Sequence, residues 1–224
     1  MQIKVASVDS LIIYFSNTIS KETANSVKKA YHCIKVLNDE GIIEIVPSYT
    51  SIFITYDILK YNFEDLKKYL QESINLDESE QLEEKIVTVD VYYGVDVGLD
   101  LDDMSHKTNL NIDEIIHLHS NKLYDVYAIG FLPGFAYLAS VDEKIAMPRL
   151  STPRKQIPKG SVSIADTQTA VYPQASPGGW NIIGRSAFNF FDKNLESLSP
   201  LKVGDKVKFN PITKQEFLKQ GGQI

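Results

Sequence analysis

The sequence is short of the residues that most often announce chemistry: one cysteine, one tryptophan and four histidines in 224 residues. The lone thiol, Cys33, cannot close an internal disulfide, and within a helical pattern it reads as a structural side chain rather than a nucleophile. His117 and His119 stand two apart on a helix and so point to different sides. No Cys, His or carboxylate group has metal-ligand spacing, and a metal is not expected. A Gly-x-Ser-x-Gly elbow is missing, which removes the usual hydrolase nucleophile signal. No apolar run reaches the length of a membrane span, and the N-terminus lacks a basic lead with a cleavage site, so a cytoplasmic protein is expected. With a net charge of -6 and no long basic stripe, nucleic acid is not the expected partner.

What is present divides in two. Ile3 to Ser7 and Leu11 to Phe15 are rich in β-branched and aromatic residues and predict strands. Between Lys21 and Asn38, Ala24, Val27, Ala30, Tyr31, Ile34 and Leu37 recur at three and four, predicting an amphipathic helix capped by Ser20. A hairpin follows over Ile42 to Val46 and Ser51 to Tyr56, then a helix after Asn62 and a strand over Ile86 to Val91. Counted from Leu11 this is the order of a split β-α-β, ferredoxin-like unit with a leading strand added, and it predicts an α+β N-terminal domain over residues 1–91. The carboxylate-rich run Asn75 to Glu84 reads as a solvated loop at its edge. In the remainder, 92–224, two short helices (Asp100 to Thr108 and Asn111 to Asn121) precede strands at Leu123 to Ile129, Ser161 to Ala165, Thr169 to Tyr172, Trp180 to Ile183 and Val203 to Phe209. Such short strands spaced by turn residues predict a closed or nearly closed barrel. His119, three residues beyond Ile116, falls near the buried face of its helix.

The stretch Gly130 to Ser186 holds six of the nine prolines, which excludes helix and predicts rigid, shaped loops. Between Arg149 and Arg185 it carries Arg149, Arg154, Lys155, Lys159 and Arg185 against Asp166 alone, interleaved with Tyr172 and Trp180, with Phe131, Phe135 and Tyr137 just upstream. A basic island with aromatic walls in an acidic chain suggests a pocket for a small anion. Gly179 to Ser186 imitates a phosphate loop, but Trp180, Ile182 and Ile183 read as a strand. Phe131, Phe135 and Tyr137 are expected to pack beneath the loop, and Asp100 to cap a helix.

The linked motifs GFLPGFAYL, Pro148-Arg149, Thr152-Pro153-Arg154, IPKGSVSIAD, Gln168 to Pro173 and SPGGWNIIGRS resemble those of the family of B-type subunits of 5-oxoprolinase, also called allophanate hydrolase subunit 1 and including the sporulation kinase inhibitor KipI. The chain departs from the family pattern at Val95 and Leu99. The resemblance implies a mainly β, cyclophilin-like barrel for the second domain. It implies a subunit of an ATP-dependent complex that opens 5-oxo-L-proline to L-glutamate, inactive without the A- and C-type subunits, with ATP bound somewhere in the complex. A KipI-like inhibitor of a sensor histidine kinase, or a subunit acting on allophanate or another urea-derived amide, are the alternatives. The expected site has His119 as proton donor or acceptor. Arg149, Arg154, Lys159, Gln168, Tyr172 and Arg185 would hold a lactam or amide substrate.

Overall fold

The computed structural model describes residues 1–76, 85–195 and 198–224. It divides the chain into two compact units, Met1–Glu83 and Glu84–Ile224.

In the first unit β1 (Gln2–Ser7), β2 (Ser10–Tyr14), β3 (Ile42–Pro47) and β4 (Ser51–Tyr56) form an antiparallel sheet in the order β1-β2-β4-β3. Alternation along β2 and β4 turns Leu11, Ile13, Ile52 and Ile54 to one face. There they meet Val27, Ala30 and Ile34 of α1 (Lys21–Leu37) and Leu66 and Leu70 of α2 (Phe63–Ser73). The helix starts are where their capping residues put them: Ser20 Oγ accepts from Thr23 N–H at 3.1 Å and Asn62 Oδ1 from Asp65 N–H at 3.0 Å.

The ferredoxin-like reading needs Ile86–Val91 as its closing strand, and the structure corrects this. That strand, β5, belongs to the second unit, where it runs parallel to β13 (Lys206–Pro211) with Val87 opposite Val207 and Val89 opposite Phe209. The free edge of β2 is covered by β1 instead. The boundary therefore falls before β5, not after Val91, because Val89 and Val91 lose their water in the barrel core. Residues 77–84 of the acidic run lie outside the described residues.

The second unit continues with α3 (Leu101–Thr108), α4 (Ile112–Ser120), β6 (Leu123–Ile129), β7 (Ala136–Ala139), β8 (Arg154–Ile157), β9 (Ser161–Ala165), β10 (Gln168–Val171), β11 (Ser176–Gly178), β12 (Asn181–Arg185) and α5 (Lys214–Lys219). Seven strands form a mixed sheet in the order β12-β9-β10-β7-β6-β13-β5, with β8 and β11 paired apart. The two ends of the sheet meet at Tyr92 and Arg185, which exchange backbone hydrogen bonds of 2.8 and 2.9 Å, so the barrel is nearly closed. Val162, Ile164, Tyr124, Val126, Val207 and Phe209 fill its interior. Asn111 and Glu114 complete the expected capping box at the start of α4. Val95 and Leu99 are both exposed, on a turn held by Gly98 N–H to Gly94 O. No helix among the described residues is long and apolar enough to cross a membrane.

Gly160 is where the loop between β8 and β9 leaves no room for a side chain. Its N–H donates to Tyr172 O, its carbonyl accepts from Ser186 N–H, its φ is +80°, and a Cβ would collide with Ser186 O. Gly160→Ala is expected to destabilise the barrel by about 2–4 kcal/mol, combining backbone strain with the displaced Ser186 carbonyl. Equilibrium denaturation of the variant checks this.

Candidate active site

His119, the expected proton carrier, is fully buried, and its surroundings fix its protonation. It sits at the end of α4, where the apolar face of that helix enters the barrel, stacked on Phe209 at 4.6 Å between ring centroids. Thr169 Oγ1 donates to Ser163 O at 2.9 Å, so its remaining capacity at 2.8 Å from His119 Nε2 is to accept. This assigns the Nε2–H tautomer and leaves Nδ1 to accept the Tyr93 hydroxyl proton at 2.7 Å. The chain Tyr93 to His119 to Thr169 to Ser163 is satisfied throughout with every member neutral. Burial pushes the imidazole down to about 3 from an ordinary 6.5. A neutral, doubly bonded ring with no exposed edge is a structural histidine. The ring expected to carry a proton thus has both nitrogens bonded to protein groups.

Arg154 is also engaged by protein. Its guanidinium makes a two-pronged pair with Asp100, Nη1 to Oδ2 at 2.9 Å and Nη2 to Oδ1 at 2.7 Å, and Asp100 Oδ2 also accepts Ile182 N–H at 2.6 Å. Asp100 occupies the N-cap position of α3 but its side chain makes no capping bond there. It ties β8, β12 and the start of α3 together, and the fork expected to grip a ligand is occupied by protein.

Arg149 keeps its guanidinium available. Asn181 Nδ2 donates to Pro148 O at 2.9 Å and Leu150 N–H to Gly179 O at 2.7 Å, so the backbone on both sides of Arg149 is pinned to the β12 region. The exposed side chain lies over the Trp180 ring, 5.8 Å from its centroid, and has no carboxylate partner among the described residues. Beneath it is an aromatic cluster centred on buried Phe135. Tyr137, Tyr172 and Trp180 stand 4.9, 5.3 and 5.7 Å from that ring, each nearly perpendicular to it or steeply inclined. The Tyr172 hydroxyl is pushed up to about 12 by burial, against a backbone hydrogen bond from Trp180 and the charge of Arg149. It is a hydrogen-bonding phenol at neutral pH.

Phe131 departs from the expected packing beneath the loop: it is 63% exposed, with φ of 72° in the left-handed region, while its edge meets Phe135 at 5.5 Å. Phe131 therefore stands exposed at the rim of this cluster, in a backbone conformation a non-glycine residue disfavours.

The remaining expected residues are dispersed. Gln168 is half-buried at the opposite end of β10 from Tyr172, exposed Lys159 reaches Asn189 Oδ1 at 3.4 Å, and Arg185 is buried at the end of β12. Arg149 and Tyr172 are thus the two that the fold brings together, with Tyr137, Trp180 and Phe131 as partners. Tyr93 and Thr169, which hold His119, were not expected to meet it; each lies too far along the chain from His119 for spacing to suggest the contact.

An α+β unit is followed by a nearly closed mixed barrel, and the family model for the carboxyltransferase domain, subdomain C and D, matches residues 1–201, which places the chain in that class. More narrowly, the chain belongs to the family of B-type subunits of 5-oxoprolinase. It is 34% identical over 227 residues to the B-type 5-oxoprolinase subunit of Bacillus subtilis (strain 168), covering 96% of this chain and 95% of that one. It is 35% identical over 178 residues to the B-type 5-oxoprolinase subunit of Haemophilus influenzae, covering 77% and 80% respectively. Among solved structures, TTHA0988 superposes with a TM-score of 0.82 at 29% identity over 91% of this chain. The present chain spans 40% of TTHA0988.

Proposed function

We propose that this chain is a subunit of a 5-oxoprolinase complex that opens 5-oxo-L-proline to L-glutamate with A- and C-type partner subunits. The observation that carries the reading is its similarity, over nearly its whole length, to a protein named as the B-type subunit of 5-oxoprolinase. Ring opening adds water across the lactam C–N bond, the oxygen going to the carbonyl carbon and a proton to the nitrogen. ATP, held at the level of the complex, supplies the activation. Within this chain the Gly179–Ser186 amides give no phosphate cradle, since Ile182, Arg185 and Ser186 N–H already bond Asp100, Tyr92 and Gly160. We assign to this chain a part in holding substrate. In this reading Arg149 pairs with the substrate carboxylate, and Trp180 and Tyr137 offer ring surface to the flat lactam. The kinase-inhibitor and urea-amide readings have no observation of their own to favour them.

Co-expression with the A- and C-type subunits should give ATP-dependent glutamate release, while the isolated chain gives little. Robust turnover by this chain alone would overturn the assignment. In the reconstituted complex, Arg149→Ala should weaken 5-oxoproline binding by about 1.5–3 kcal/mol at an unchanged melting temperature, with Arg149→Lys restoring part of the loss. Calorimetric titration and thermal melting on the same samples test the residue separately from the complex.

A further inference from the structure

Two buried side chains at the closing end of the barrel have polar atoms without a partner among the described residues, and they are neighbours. Arg185 ends β12 directly opposite Ser161, the first residue of β9. Directly opposed residues of an antiparallel pair present their side chains on the same face. Arg185 is 7% exposed and Ser161 0%. Arg185 Nε and Ser161 Oγ both lack a hydrogen-bond partner there. The arginine stem runs along the loop before β9, since a Cβ on Gly160 would meet Arg185 Cγ at 3.4 Å.

The charge around this pair is unbalanced. Arg185 Nη1 donates to the Gln223 carbonyl at 2.9 Å, which neutralises nothing. The acid whose field reaches it, Asp96, is already paired with Lys214 Nζ at 2.7 Å. An arginine stays protonated even when burial works against its charge, so a cation with an unpartnered Nε–H and an unpartnered hydroxyl share one face of neighbouring strands at opposed positions. Charge in such a setting calls for an opposite charge with oxygen acceptors.

We propose that Arg185 and Ser161 form a binding position for a small oxyanion, a carboxylate or a phosphate group, under the segment that carries Gln223. The Nε–H and the Ser161 hydroxyl are its donors. The Gln223 carbonyl competes for Nη1, so the anion gains a third donor when that segment is displaced. The proposal uses neither Arg149 nor Trp180 and stands apart from the reading of the aromatic site.

Titration calorimetry of the full chain, with inorganic phosphate in one arm and acetate in the other, tests it and distinguishes the two sources of oxyanion. Saturable binding of at least one probe is expected, retained in Arg149→Ala and weakened about tenfold in Ser161→Ala, the scale of one charge-assisted hydrogen bond. Ser161→Ala should melt no lower than the parent chain, because it removes a hydroxyl that bonds nothing in the protein. It therefore keeps the test decisive where Arg185→Lys fails to fold. Absence of saturable binding of both probes overturns the proposal. So does parental affinity in Ser161→Ala, or loss of binding in Arg149→Ala alone.

Discussion

Asp100→Ala is expected to cost the barrel about 3–4 kcal/mol while leaving the affinity of the folded protein for its ligand unchanged. The carboxylate is almost fully buried and accepts three hydrogen bonds, two from the Arg154 fork and one from Ile182 N–H. Its removal leaves a mostly buried cation without its counter-charge and a buried amide without an acceptor. Both losses fall on the folded state alone. Asp100→Asn, with its amide oxygen at the Oδ2 position, retains an acceptor for Arg154 Nη1 and Ile182 N–H but loses the charge and the Nη2 acceptor, and should recover part of the loss. Arg154→Ala should likewise lower stability and not affinity. A ligand-gripping arginine would do the reverse, so urea denaturation and calorimetric binding on the same variants separate the two roles. A fall in affinity at unchanged stability in Arg154→Ala would return that residue to the site.

His119 gives the second large effect, through pH. Its folded-state value of about 3 lies below the ordinary 6.5. In acid the unfolded chain therefore takes up a proton that the folded chain refuses. The stabilisation due to the neutral ring is fully present above pH 6.5, declines as pH falls toward 3, and reaches its floor below that. The slope in this window approaches about 1.4 kcal/mol per pH unit for one proton, so about 2 kcal/mol should be lost between pH 6.5 and 5. His119→Gln should abolish that share of the acid sensitivity. At pH 7 it should itself be less stable by about 2–4 kcal/mol, having lost the ring that bonds Tyr93 and Thr169 and stacks on Phe209. A pH series of denaturation midpoints on both proteins reads the two effects together. If His119→Gln keeps the parental pH dependence, another group carries it.

The helices and most strands were legible because each is written in a local pattern: Val27, Ala30 and Ile34 at helical spacing, Ser20 and Asn111 at caps, and alternation along Ser51–Tyr56. β5 was legible as a strand but not as a member of the barrel. Alternation states that one face is buried, not which sheet buries it, and its partner β13 comes more than a hundred residues later. The anion site was legible only as a population of basic residues. The sequence places Arg149 and Arg154 five positions apart in one loop, yet their fates are decided by Asp100, far upstream, which claims one and leaves the other over Trp180. His119 was read as near the buried face. What turned it from a reactive group into a core residue was the convergence of Tyr93 and Thr169, which chain order does not reveal.

The parallel pairing of β5 with β13 has a consequence for how the molecule is made. On a ribosome, every strand and helix of the first unit is available once Ser73 has emerged, and its contacts span short stretches of chain. The second unit opens with β5, whose neighbour in the sheet is translated roughly 120 residues later. Until Pro211 is out, β5 and β6 both lack their shared neighbour β13, so the sheet that Tyr92 and Arg185 close at its other end stays open between them. The N-terminal unit thus matures during synthesis, while the barrel is sealed only after nearly the whole chain has been released. That interval is when the half-built sheet is open to intruding strands, and when a chaperone or an early-binding partner has the most to protect.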